Sequence, residues 1–443
     1  MKPLTENLQF LQEFIRHISE VGAVLPTSTY AADALAAEIA RHQGPKRVLE
    51  VGAGTGAITA QLVRYIQPGD ELVLCEINET FMTLLQARFT REALFQRVAS
   101  QTQFSVASIL DLSDDVGFDF IISAIPFNNC PPDFVDAVLA HYRRLLKPGG
   151  VLSYIEYMGG RTVKVLSGAD PQLRARQQVY QHFLGQYEFR RELVFRNVPP
   201  AWIHYLRYAP AAPQQALTLA PRTNNHRIAV SPLTMDSAVL PFWALSGAAA
   251  LWLRKVAPQS RLWWAAAALL PLLAAFFRDP QHPSLRDPST AYAASDGVVL
   301  AVEEITDPRF GETRWLRIAV FLSLLDVHVN YAPIAGRVID RLEEVGGFAA
   351  ANVAAAEHNQ ALYTVIEGVQ GQCIVAQRVG LIARRIINRC KPGSLVSQGE
   401  KIGLIRFGSR TDVYLPAAQT QALVQAGDKV IGGVTPLARW VGR

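Results

Sequence analysis

Residues Val48-Leu49-Glu50-Val51-Gly52-Ala53-Gly54-Thr55-Gly56 carry an apolar strand straight into a glycine-rich turn that opens a helix, and few folds accept that order. Glycines at such a turn let the backbone approach a ligand closely, and the helix start offers its amides to it. Gly-x-Gly alone is a weak signal. Two acids sharpen it: Glu50 stands two residues before the first glycine, and Glu76 ends the next apolar strand, ELVLCE. In a dinucleotide site the second acid would hold a ribose, but an acid at Glu50 would have no evident role.

The runs RVLEVGAG, ELVLCEI and FDFIISAI alternate with the helix-like ETFMTLLQARF and DFVDAVLAHYRRLL, a rhythm that predicts a parallel-rich α/β sheet with crossover helices. Five prolines and many alanines between Pro199 and Pro221 read as a linker, so the first domain is expected over 1–220. After Arg278 the pattern turns to short β-branched segments punctuated by glycine, among them GVVLAVEEI, LRIAVFLSLL and KIGLIRF. That predicts a mainly β (α+β) domain over 279–443.

Between the domains, over 235–278, two apolar runs flank the basic stretch RKVAPQSR and predict a helical hairpin. Each run spans roughly 24 Å at ~1.5 Å per residue, short of the ~30 Å hydrocarbon thickness. Arg254, Lys255 and Arg261 at the tip also oppose the positive-inside tendency if both large domains are cytosolic. A shallow, monotopic hairpin with Trp252, Trp263 and Trp264 as interface anchors is therefore favoured over full spanning. A hairpin buried in a soluble domain is the alternative. The net charge of +5 over 443 residues suits an anionic surface and is too small to demand nucleic acid. Four scattered cysteines without a C-x-x-C pair argue against a disulfide framework or a zinc knuckle, and no metal site is expected. The start, MKPLTENLQFLQEFIRHI, lacks the pattern of a secretory signal, so both ends are expected in the cytosol.

VLEVGAGTGAIT resembles the first motif of class I methyltransferases, and the likeness runs in order over 25–160. It implies S-adenosylmethionine as cofactor, with Gly52, Gly54 and Gly56 admitting the methionine part, Glu50 supporting the loop or the amine, and Glu76 taking the ribose hydroxyls. Ser108 stands near the place of the adenine-contacting acid, with Asp111 three residues on. Ser123-Ala124-Ile125-Pro126-Phe127-Asn128-Asn129 is similar to the substrate loop of amino-methylating relatives, where a proline fixes backbone carbonyls toward a nitrogen. Ile125, Pro126 and Phe127 are therefore the expected substrate residues. The opening segment FLQEFIRHISEVGAVLPTSTYAADALA resembles that of bacterial phospholipid N-methyltransferases, themselves similar to ribosomal-RNA adenine dimethyltransferases; Tyr30 would cover the cofactor. Phe10, Leu11, Phe14 and Ile15 with Arg16 and His17 make an amphipathic stretch suited to anionic lipid or to packing on its own domain.

IRFGSRTDVYLP at 405–416 is similar to the processing site of short bacterial phosphatidylserine decarboxylases, in which the chain breaks between glycine and serine. FFRDP at 276–280, SDG at 295–297, LSLLDVHVNYAPIAG at 322–336, EHN at 357–359, LYTVIEG at 362–368 and GLIARRI at 380–386 agree in order. The resemblance implies that the Ser409 hydroxyl attacks the Gly408 carbonyl, giving an ester that β-eliminates and leaves a pyruvoyl group. Chains 1–408 and 409–443 would stay associated. Decarboxylating an amino acid head group needs an electron sink on the amine, and a ketone on the chain's own new terminus supplies one. The family pattern places Asp296 and His328 in a triad with the serine, the histidine as base and the acid holding its tautomer. Longer members carry a second histidine where this sequence has Tyr331, so His328 serves both steps or another group assists.

Decarboxylation would yield phosphatidylethanolamine, the amine that a phospholipid N-methyltransferase takes toward phosphatidylcholine. A bifunctional lipid enzyme on the cytoplasmic face of a bacterial inner membrane is the reading favoured, with phospholipids and the membrane surface as partners, no nucleic acid, and a homo-oligomer left open. A decarboxylase fused to an RNA adenine methyltransferase, or to a non-catalytic docking domain, is the alternative.

Overall fold

The computed structural model describes residues 27–127, 130–158, 182–222, 227–230, 233–282, 287–381, 385–406 and 409–441. The amphipathic stretch from Phe10 to His17, Asn128, Asn129, Phe407 and Gly408 lie outside the described residues. The chain divides into two compact units, 1–211 and 212–443.

In the first unit, strands β1 (Arg47–Val51), β2 (Glu71–Glu76), β3 (Thr102–Val106), β4 (Phe118–Ser123), β5 (Leu146–Tyr157), β6 (Glu188–Val194) and β7 (Ala201–Leu206) form one sheet in the order β3-β2-β1-β4-β5-β7-β6. The first five are mutually parallel, and β7 runs antiparallel to both β5 and β6. Alternation along each strand divides the core between two faces. Val48, Leu72, Leu74 and Ile122 go to one, and Leu49, Val73, Ile121 and Leu152 to the other. The helix Pro132–Leu145 covers the second face with Val135, Val138, Leu139 and Tyr142, spaced for one helical stripe. Val51 pairs with both Cys75 and Ser123. The carboxyl ends of β1, β2 and β4 therefore finish level, and the glycine turn and the 125–127 segment emerge at one edge.

The linker expectation is corrected here. Ala201–Leu206 is a largely buried strand inside the sheet, and the prolines bracket it at 199, 200 and 210 rather than interrupting it. Pro213–Thr218 forms a short 3-10 turn in the second unit with Ala216 fully buried.

The second unit begins with a hairpin of β8 (Arg227–Val230) and β9 (Leu233–Asp236), followed by helices Leu240–Val256 and Leu262–Phe276. The helices fasten to each other where Trp243 Nε1 donates to the Leu270 carbonyl and Ser246 Oγ to that of Ala266, both at 3.0 Å. At their base Met235, Val239, Ala274, Phe276, Phe277 and Leu404 form a small core. Asp279 pairs with Lys401, and Asp236 with Arg389. No helix among the described residues is long and apolar enough to cross a membrane.

The rest is β: β10 (Thr290–Tyr292), β11 (Gly297–Thr306), β12 (Arg314–Leu322), β13 (Val329–Tyr331), β14 (Gly336–Glu344), β15 (Ala361–Glu367), β16 (Gln372–Val379), β17 (Ile386–Asn388), β18 (Leu395–Val396), β19 (Lys401–Ile405), β20 (Ser409–Pro416), β21 (Thr420–Ala422), β22 (Lys429–Val430) and β23 (Pro436–Trp440). Eight of these make an antiparallel sheet, β18-β14-β15-β16-β20-β12-β11-β22, beside the small sheets β13-β19-β17 and β10-β23-β21. Val375, Val413, Ile318 and Val320 build the larger core on one face of the main sheet, and Tyr363, Ala376, Tyr414 and Trp315 build a second on the other.

Candidate active sites

At the carboxyl edge of the first sheet the glycine turn is held open by backbone that side chains rarely adopt. Gly52, Gly54 and Gly56 have φ of 73°, 55° and 87°, and a Cβ on Gly56 would meet Leu85 Cδ1 at 2.6 Å. Around Gly54 nothing would touch such a Cβ within 4 Å, so the turn presents open backbone. Glu76 accepts from the Gly54 amide at 2.8 Å and from the Asn78 amide at 2.9 Å, tying the turn to the end of β2. Arg88 closes the other side by donating to the carbonyls of Gly56 and Thr55.

Glu50 is fully buried in β1. One carboxyl oxygen accepts from Thr59 Oγ1 at 2.8 Å, and the other has no hydrogen-bond partner among the described residues. Burial pushes its pKa up to about 8; the Thr59 hydroxyl opposes this and the nearby Glu76 adds to it. A buried acid with an orphaned oxygen beside left-handed glycines and a second acid is a donor set that fits the amine and ribose of a nucleoside-type cofactor. Ser108 is buried, and its hydroxyl caps the turn 109–111 by accepting from the Leu110 amide. Tyr30 is half exposed, with the Arg196 guanidinium 5.0 Å over its ring.

Of the expected substrate loop, Ile125, Pro126 and Phe127 are described. The Ile125 carbonyl accepts from the Phe127 amide and the Phe127 carbonyl from the Cys130 amide, while the Pro126 carbonyl accepts from the Cys130 thiol, at 3.6 Å. Among the described residues the Pro126 carbonyl is thus held by the weakest donor of the three. Phe127 packs edge-on against Tyr154, which stacks on His204 at 4.8 Å. His204 lies between two carboxylates, 2.7 Å from Glu188 and 3.0 Å from Glu156. Burial lowers its pKa, but the two carboxylates outweigh that and raise it.

In the second unit Ser409 opens β20, opposite Leu322 of β12 on one side and Val379 of β16 on the other. It is completely buried, and its hydroxyl has no hydrogen-bond partner among the described residues. The backbone brings His328 to the same place. Its carbonyl accepts from the Ile405 amide at the end of β19, and two residues on, Asn330 Nδ2 donates to Thr411 Oγ1, two residues into β20. Gln377 and Asn388 complete a buried amide chain that fixes β13 against β20. Gly297, just after Asp296, pairs with Val430. Its φ is 145°, and a Cβ there would sit 2.1 Å from the Phe321 carbonyl oxygen, so the Ser-Asp-Gly turn lies against the end of β12, the strand that pairs with Ser409 along its other edge.

His328 is nearly fully buried under Phe276, with ring centroids 4.2 Å apart. Its Nδ1 lies 2.9 Å from the Asp326 carbonyl, which can only accept, so Nδ1 carries the hydrogen and Nε2 the lone pair. Burial pulls its pKa down to about 4, Asp326 opposing and Arg278 assisting. The imidazole is therefore neutral near pH 7, the form a base needs. The expected tautomer-holding contact of Asp296 is made instead by the Asp326 backbone. The Asp296 carboxyl accepts from the Gly432 amide at 2.8 Å, and burial raises its pKa. Sequence reasoning missed the roles of Thr59, Arg88, His204, Asp326, Asn330 and Gly432. Thr59, Asp326 and Asn330 lie inside quoted motifs, but their parts are set by contacts that the motif spacing does not show, while Arg88, His204 and Gly432 reach their sites from distant segments.

Residues 269–438 match the family model of phosphatidylserine decarboxylase, and residues 48–150 that of a methyltransferase domain. Among curated relatives, the phosphatidylserine decarboxylase proenzyme of Gluconacetobacter diazotrophicus is 40% identical over 46% of this chain and 92% of its own length. That of Mycolicibacterium vanbaalenii is 40% identical over 48% and 91%, and that of Carboxydothermus hydrogenoformans 39% identical over 37% and 78%. A solved structure, the O-methyltransferase TomG of Streptomyces achromogenes with SAM, aligns at 17% identity and a TM-score of 0.31 over 40% of this chain and 78% of that one, a likeness that carries no argument.

Proposed function

Because the chain belongs to the phosphatidylserine decarboxylase family and carries a methyltransferase domain ahead of the matching segment, we propose that it decarboxylates phosphatidylserine and N-methylates the resulting phosphatidylethanolamine toward phosphatidylcholine. The observation that carries this is the buried Ser409 hydroxyl at the head of β20, which has no hydrogen-bond partner among the described residues, with His328 leading into a strand that Asn330 ties to Thr411, two residues along β20. A serine hydroxyl secluded from water and short of a partner is suited to attack its own preceding peptide bond, at Gly408, with the neutral His328 taking the proton. β-Elimination of the resulting ester would release the 1–408 carboxylate and leave a dehydroalanine at 409, which water hydrolyses to the pyruvoyl group with loss of ammonia; that group would supply the electron sink for loss of carbon dioxide.

In the first unit Gly52, Gly54 and Gly56 with Glu50 and Glu76 would hold S-adenosylmethionine, which supplies the methyl group; Tyr30 and Ser108 would border it. Ile125, Pro126 and Phe127 would hold the amine, Pro126 through its carbonyl. Chemical continuity between the two reactions favours a lipid over an RNA substrate, since the first product is the amine the second consumes. The helical hairpin supports a site at a membrane surface. Leu245, Leu251, Trp252, Leu262, Trp264 and Leu272 are exposed on it, while Arg254, Lys255 and Arg261 lie at its tip. The length of the two helices suits a monotopic hairpin, and the cytoplasmic face of a bacterial inner membrane is the location proposed. The first domain, expected to run to 220, is taken to end with the compact unit at 211; the limits proposed for the hairpin and the decarboxylase domain are 235–278 and 279–443.

Purified protein given labelled phosphatidylserine in liposomes with the methyl donor is expected to release carbon dioxide and form methylated phosphatidylethanolamines. Methyl transfer to RNA and not to liposomes would reject the lipid reading of the first unit, and an intact wild-type chain would reject that of the second.

A further inference from the structure

His282 stands two residues past the Phe-Phe-Arg-Asp-Pro segment that closes the hairpin. Its Nδ1 lies 2.8 Å from the Gly432 carbonyl oxygen, so the ring hydrogen sits on Nδ1. The imidazole stacks on Tyr331, with ring centroids 5.6 Å apart and 26° between the planes. The amide of the same Gly432 donates to Asp296 Oδ1 at 2.8 Å. One residue thus grips the carboxylate with its N–H and the imidazole with its C=O. No side chain fits between them: a Cβ on Gly432 would lie 2.6 Å from Tyr331 Cδ2 and 3.1 Å from the Ser295 carbonyl carbon. Three separate segments of the unit interlock at this point.

The groups facing Asp296 are His282 and Arg278, which favour the ionised carboxylate, Asp326, which opposes it, and the Gly432 N–H. Arg278 is committed to the carbonyls of Ala275 and Leu325. That leaves His282, held by the carbonyl of the same Gly432 whose amide holds the carboxylate, as the second basic side chain acting on Asp296. It also occupies the face of Tyr331, three residues after His328.

We propose that His282 is a positioning residue for the Ser409 chemistry: gripped by the Gly432 carbonyl and stacked on Tyr331, its imidazole is the counter-charge that keeps the Asp296 carboxylate ionised and aimed. This rests on the reading of Ser409 as the processing site and names the group that assists His328.

The test follows conversion of the newly translated full chain into 1–408 and 409–443 between about pH 5 and pH 8. His282→Gln retains an amide donor for Gly432 without charge, His282→Ala removes both, and His282→Lys restores charge. Loss of the counter-charge raises the pKa of Asp296. The acid limb of the cleavage profile is therefore expected to move up by about half a pH unit in the Gln and Ala variants, roughly threefold in rate on that limb, and to return in the Lys variant. Uniform slowing with an unmoved limb would assign His282 a packing role and overturn the proposal. A second measurement needs no cleavage. In the uncleavable Ser409→Ala chain, the His282 imidazole titration followed by NMR is expected to fall when Asp296→Asn is added, and an unchanged midpoint would also overturn it. A wild-type chain that stays whole at every pH would remove the Ser409 reading itself, while the NMR comparison would still decide whether the two groups are coupled.

Discussion

Glu50 and Ser409 each keep a buried oxygen that no described residue satisfies, but only the acid changes charge. The Glu50 carboxyl, with its pKa raised by burial from the ordinary 4.5 to about 8, stays protonated in the folded chain over a range where the unfolded chain has released the proton. The folded state binds more protons there, so stability falls as pH rises from about 4.5 toward 8 and levels beyond it. Glu50→Gln keeps an acceptor for Thr59 and has no proton to lose. Relative to wild type it is expected to gain stability across that window, by at most roughly 1.4 kcal/mol per pH unit, and to match it near pH 4.5, as calorimetric melting would show. Gly297→Ala is expected to be far more damaging, because its Cβ would overlap the Phe321 carbonyl oxygen at a left-handed φ. A loss of roughly 3 kcal/mol or more, read by denaturant unfolding, should accompany failure of self-cleavage. The sequence made Glu50, the glycines, Glu76, Asp296 and Ser409 legible because each sits in a contiguous motif whose spacing carries its chemistry. Gly432 and His282 were not legible, because their contact with Asp296 and Tyr331 arises only when β22, the hairpin base and the start of β11 meet in space.

The helical hairpin and the strand β7 show opposite outcomes of pattern reading. The hairpin was legible because sixteen or so apolar residues on either side of a basic turn have one economical arrangement, and both helices form within the stretches expected. Strand β7 was hidden because prolines at 199, 200 and 210 surround only six residues, and those residues gain their order from β5 and β6 on either side. The fastening of β13 to β20 was equally invisible, since Asn330, Gln377, Thr411 and Asn388 lie on four different strands. Asn330→Ala is expected to leave Gln377 and Thr411 each short of a buried partner. That costs about 1–3 kcal/mol by denaturant unfolding, and self-cleavage slows because the strand holding His328 loosens. For the hairpin, Leu251→Glu with Leu272→Glu places charge on its exposed apolar surface, at two side chains that are each more than half exposed. Flotation with anionic vesicles is expected to show the variant in the unbound fraction while the chain still cleaves. Undiminished binding would reject the hairpin as the membrane contact.

On the proposed function, joining a decarboxylase and a methyltransferase domain in one polypeptide has a consequence that neither unit has alone. A tether raises the concentration of the second site around the first product only as long as both ride on the same surface. Two variants separate the activities. Ser409→Ala should remain a single 443-residue chain, unable to decarboxylate yet able to methylate added phosphatidylethanolamine. Glu76→Ala removes the acid that ties the glycine turn to β2 and should cleave and decarboxylate without methylating. With each vesicle carrying at most one protein molecule, wild type is expected to turn phosphatidylserine into methylated lipid. An equal mixture of the two variants should not, because phosphatidylethanolamine formed on one vesicle stays in that bilayer. At many molecules per vesicle the mixture should recover most of the wild-type yield, since lipid diffusion within one bilayer then joins the two steps. Equal yields from wild type and mixture at the lowest loading would mean that the product exchanges freely between surfaces, and co-residence in one chain would then confer no kinetic advantage.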